Sequence, residues 1–148
     1  MWVVSRLVVT FGLLGLIPFV SGAFAAWWWP ELLEWTTSYF LLYSAGILAF
    51  MAGVFWPLSM QLEACSYPIS PMSALLLSQG FFITAGVGLL LPYTWAIVLY
   101  PVAYGVLWLA DRGLLKGYWP KWYLRLRALL TAVAILSQAL VGVALFII

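Results

Sequence analysis

Residues 111–148 read DRGLLKGYWPKWYLRLRALLTAVAILSQALVGVALFII, and the change of character inside this stretch decides the fold. From Ala128 to Ile148 no Asp, Glu, Lys or Arg occurs. At about 1.5 Å per helical residue, such a run crosses the roughly 30 Å hydrocarbon core of a bilayer. The residues before it hold five of the six basic side chains of the chain, Arg112, Lys116, Lys121, Arg125 and Arg127, interleaved with Tyr118, Trp119, Trp122 and Tyr123. A basic, aromatic interfacial loop that leads into a membrane-spanning helix fits both features.

Working outward from that helix, the same alternation recurs. Thr94 to Ala110 is apolar and is joined through the tight turn Leu91-Pro92-Tyr93 to another apolar run over 70–91, so these two helices are antiparallel neighbours. A further helix over 37–56 ends at Pro57, which removes a backbone donor, and gives way to a loop over 58–69. Before it, Trp27 to Trp35 forms an interfacial segment in which Pro30 suits a first helical position and Glu31 and Glu34 suit the positive end of a helix. The first helix spans about 7–26. Its alternative is a cleaved secretory signal, because Arg6 precedes an apolar run and Ala23-Phe24-Ala25 fits a small-x-small cleavage site. The expected fold is therefore all-α, one polytopic bundle over 1–148 with about five transmembrane helices and a basic loop over 111–127.

Composition agrees. With 67% hydrophobic and 7% charged residues, the chain cannot cover a water-exposed surface. The basic residues also set the expected orientation: Arg6 precedes the first helix and the other five lie between the fourth and fifth, which puts the N-terminus in the cytoplasm and the C-terminus outside. The loop over 58–69 carries Glu63 and no Lys or Arg, and supports neither orientation. The chain has no His and one Cys, Cys65. This excludes an internal disulfide, ordinary zinc sites and a His-held haem, and no metal or cofactor is expected. Without a His, nothing activates Cys65 as a nucleophile.

No charged residue falls in the middle of these helices, which disfavours ion pumps, ion-coupled transporters and intramembrane enzymes. The midplane holds neutral polar groups instead: Tyr43, Ser44, Gln79, Thr84, Tyr100, Tyr104, Ser137 and Gln138. Gln79 and Gln138 either act as interhelical hydrogen-bonding groups or, with Tyr43 and Tyr104, offer hydrogen bonds to a lipid or quinone. Ala45, Ala49 and Gly53 recur every four residues and give a close-packing face for a helix of this chain or of a partner. Pro18 and Pro101 favour kinks. Lys121, Arg125 and Arg127 are explained by orientation alone or by contacts with anionic headgroups or a cytoplasmic partner.

Several stretches together carry a resemblance: Gly12-Leu13-Leu14-Gly15-Leu16-Ile17-Pro18-Phe19, Tyr43 through Phe50 to Gly53 and Trp56, then Asp111, and Trp119 through Arg127 with Thr131. In these the chain resembles the small bacterial membrane proteins grouped as domain of unknown function 3429, to which the eukaryotic transmembrane protein 69 is similar. It departs where that family tends to have a Ser and paired glycines, since Ala49 and Ala52 stand here before Phe50 and Gly53. The resemblance implies a five-helix protein of the bacterial inner (cytoplasmic) membrane, implies no reaction, and singles out Tyr43, Trp56, Asp111, Trp122 and Arg127. The expected function is a non-catalytic accessory subunit or assembly factor of a respiratory or photosynthetic membrane complex, in contact with lipids and partner membrane proteins and not with nucleic acid. The alternative is a lipid or quinone binder or transporter that uses the neutral midplane.

Overall fold

The computed structural model describes residues 2–62, 71–114 and 121–147. Among them the chain is helical: α1 (Trp2–Gly15), α2 (Ile17–Trp28), a 3-10 turn (Pro30–Leu32), α3 (Leu33–Leu62), α4 (Pro71–Leu90), α5 (Tyr93–Leu114) and α6 (Lys121–Ile147). Five stretches are long and apolar enough to cross a membrane: Ser5–Trp28, Pro30–Gly53, Met72–Leu90, Tyr93–Gly113 and Lys121–Ile147. This is a multi-pass membrane protein.

The first crossing is two helices end to end. Pro18 cannot donate to the preceding turn, and the ladder breaks at Leu16, whose N–H closes a tighter turn on the Leu13 carbonyl at 3.1 Å. Pro101, by contrast, lies inside the single helix α5. Pro57 does not end α3 at Trp56 as expected; the helix continues to Leu62. Continuing past the proline forfeits one backbone hydrogen bond while the rest of the ladder is kept. The polar stretch over 111–127 is also more helical than expected, with α5 extending to Leu114 and α6 starting at Lys121. Glu63, Cys65, Lys116, Tyr118 and Trp119, and the side chain of Trp56, lie outside the described residues.

Helices α2 to α6 all contribute to one core, α4 through Ala74, Phe81 and Ala85 against α3 and α5, and α1 packs on α2 and α6. Close approaches fix their directions. A methyl group placed on Gly22 of α2 would strike the ring of Phe40 on α3, and Tyr43 reaches back to Gly15, so the first crossing and α3 are antiparallel. On α5 and α6, Ile97 meets Gly142 while Asp111 meets Arg127, which is again antiparallel. Gly12 lies against Leu130, and the Trp27 indole donates to the Leu140 carbonyl at 3.0 Å, so the first crossing and α6 run parallel. Between α4 and α5, Gly88 leaves room for the wholly buried Tyr100 ring against the backbone, where its hydroxyl donates to the Ala85 carbonyl at 2.8 Å. The geometry therefore gathers Arg6, Arg112, Lys121, Arg125 and Arg127 at one end of the bundle and Glu31 and Glu34 at the other.

Candidate functional site

The basic end holds a buried ion pair. Arg127 and Asp111 are 4% and 1% exposed, and Arg127 Nη2 donates to Asp111 Oδ2. Its Nη1 donates to Met51 Sδ at 3.4 Å, so the guanidinium joins α6 to both α5 and α3. Helical periodicity explains the inward turn: Arg127, Ala134 and Val141 are seven residues apart and all buried, and Asp111 follows buried Tyr104 by seven. Of the three basic residues expected to meet anionic headgroups or a partner, Arg127 turns inward to Asp111. It lies about 200° around α6 from Arg125 and faces the core. Lys121 and Arg125 are exposed, and exposed Arg112 lies over the Trp108 ring at 5.2 Å.

Roughly two to three turns deeper, the bundle holds neutral polar groups. The Tyr104 hydroxyl donates to the Ser44 carbonyl at 2.6 Å, and Gln138 Nε2 donates to Ser44 Oγ at 3.3 Å. Ser44 and Gln138 are fully buried. Tyr43, the neighbour of Ser44, donates to the Gly15 carbonyl at 2.6 Å and so supplies a partner at the break in the first crossing. Phe19 packs edge-on against both Tyr43 and Tyr104, with ring centroids 5.1 and 6.1 Å apart. Gln138 is thus brought to Ser44 and not to Gln79. Gln79 is half-buried on α4, which packs against α3 and α5 and has no substantial interface with α6.

The expected small-residue face divides. Ala45 is buried, Ala49 half-buried, and Gly53 exposed, with open space among the described residues where a side chain would stand. Each four-residue step advances about 40° around the helix, so two steps carry the stripe from the core to the outer surface.

Between these polar regions runs a half-open groove of about 370 Å³, lined from the first crossing, α3, α5 and α6. Phe11, Leu16, Ile47, Phe50 and Leu130 give it apolar walls, Arg127, Thr131 and Tyr123 stand on α6, and Tyr104 comes from the neutral cluster. A second groove of about 440 Å³ between α2 and α6 is more open and almost wholly apolar, lined by Phe24, Trp27, Trp28 and Leu136 among others.

A family model described as protein of unknown function (DUF3429) matches residues 4–143, nearly the whole chain. The chain belongs to the DUF3429 family. No curated protein and no solved structure matches it. In this DUF3429 protein, three of the positions that the resemblance singles out, Tyr43, Asp111 and Arg127, make internal polar contacts, while Trp122 is exposed. Ala52, where the family tends to have a glycine, is fully buried. Met51 and the break carbonyl of Gly15 are partners that sequence reasoning missed. The spacing of Ser44 and Met51, seven residues apart on α3, is the signal that points to Met51.

Proposed function

We propose that this DUF3429 protein is a non-catalytic membrane protein that holds a lipid-like or quinone-like molecule in the groove between its first crossing, α3 and α6. One observation carries this reading: a cavity of about 370 Å³ has apolar walls and a cationic side chain at one end. That size falls within the roughly 300–1,000 Å³ of small-molecule pockets, and mostly apolar walls with a few polar groups are their usual make-up. The clustering of Arg6, Arg112, Lys121, Arg125 and Arg127 at one end supports a cytoplasmic placement of that end, with the N-terminus in and the C-terminus out, in a bacterial inner membrane. The groove would then open near the cytoplasmic leaflet.

Gly53 favours a second reading, that of an accessory subunit. It is exposed, and among the described residues nothing lies within 4 Å of its position for a side chain, as at Gly46 on the same helix, which would let a partner helix approach closely. Purification in a mild detergent, followed by mass spectrometry of retained small molecules and proteins, tests both. Val8 lines the groove on the first crossing, and a retained lipid or quinone that is lost when Val8→Trp fills it supports the first reading. A stoichiometric protein partner lost in Gly53→Leu, with no small molecule retained, overturns the first in favour of the second.

A further inference from the structure

Of the three guanidinium nitrogens of Arg127, two are accounted for: Nη2 pairs with Asp111 and Nη1 donates to Met51. Nε has no hydrogen-bond partner among the described residues, although the side chain is 96% removed from solvent. A buried donor on a cation is costly to leave unmade. Arg127 lines the groove, and so does Thr131, one turn further along the same face of α6, with a hydroxyl that can donate or accept.

The charge balance decides what kind of oxygen suits this position. The positive charge of Arg127 is already met by Asp111. A carboxylate or phosphate brought to Nε would put a second anion beside Asp111 in a poorly hydrated site, without a cation of its own from the groove lining. A carbonyl oxygen accepts the Nε hydrogen without that cost. Beyond it, Phe11, Leu16, Phe50 and Leu130 offer hydrocarbon contact. We infer that the groove takes a molecule with a hydrocarbon tail and an uncharged, carbonyl-bearing head placed at Arg127 and Thr131, chemistry shared by neutral glycerol esters and isoprenoid quinones, in preference to an ionised fatty acid. This rests on the groove reading of the protein's function.

Native mass spectrometry of the detergent-purified chain, titrated at pH 8 with decylubiquinone, monoolein and oleate, tests it. At least one neutral ligand binds about tenfold or more tightly than oleate, and which of the two prevails separates a quinone from an ester. Arg127→Lys keeps a cation for Asp111 but lacks Nε, and it abolishes the preference; Thr131→Val, which leaves the ion pair intact, reduces it if the Lys variant does not fold. Oleate binding as tightly as both neutral ligands, or a preference unchanged in a folded Arg127→Lys or in Thr131→Val, overturns the inference while the groove reading stands. Binding of none of the three, or binding that Val8→Trp does not change, overturns the groove reading and this inference with it.

Discussion

Asp111 and Arg127 meet as opposite charges between α5 and α6, whereas Ser44, Tyr104 and Gln138, roughly two to three turns deeper, meet as neutral groups. Both sites are buried and both tie three helices together: α3, α5 and α6. They differ in the consequence of losing one member. An ion pair removed from water leaves, on deletion of one partner, a full charge in a medium that cannot solvate it. A neutral donor or acceptor left alone costs the desolvation of one dipole and often finds another partner within the bundle. The comparison therefore predicts a steep difference in sensitivity between two sites that look alike in burial.

The largest expected effect comes at the ion pair. Arg127→Ala removes the buried cation beside Asp111 and should destabilise the protein by about 3–5 kcal/mol, measured by reversible unfolding in mixed detergent micelles. Replacing both residues by Leu should recover most of that loss, because an apolar pair of similar volume removes the uncompensated charge along with the attraction. If the single and double variants lose equally, the pair acts through packing or through Met51, and the contrast with the neutral site fails.

A smaller effect is expected where the neutral region meets the helix break. Tyr43→Phe keeps the ring against Phe19 but removes the donor to the Gly15 carbonyl, the acceptor at the end of α1. A loss of about 1–3 kcal/mol is expected for a backbone acceptor left without its partner. The loss should be local: hydrogen exchange around Leu16 should speed up while exchange in the middle of α5 stays unchanged. Uniform acceleration would show that Tyr43 supports the whole bundle.

The same physics governs how legible these sites are in the sequence. The five crossings are readable because apolar runs of bilayer length have one stable solution, and the one unexpected division, at Leu16, has its cause in Pro18, a residue that by itself signals only a kink. The ion pair is harder. Arg127 stands among exposed Lys121 and Arg125, and charge density alone says nothing about which of the three faces inward; that depends on α6 starting at Lys121, so that the heptad Arg127, Ala134, Val141 becomes one buried line. Gln138 is readable as a polar group in need of a partner, but its partner is not. Residue type gives the need, and helix adjacency decides whether Ser44 or Gln79 meets it. The groove is not readable at all, since it arises between crossings whose rotation only packing sets.

The smallest effect tests the neutral site on its own terms. A double-mutant cycle with Ser44→Ala and Gln138→Leu isolates the coupling across their 3.3 Å hydrogen bond. Coupling of about 0.6 kcal/mol, the average for such bonds between membrane helices, is expected. It should stay small for a reason visible in the structure: Gln138 Oε1 has no partner among the described residues, so the carboxamide is only partly satisfied and Leu relieves that cost as it removes the bond. A coupling above about 2 kcal/mol would place the neutral site in the same class as the ion pair, and would mean that hydrogen bonds deep in this bundle are held as rigidly as the charges near its end.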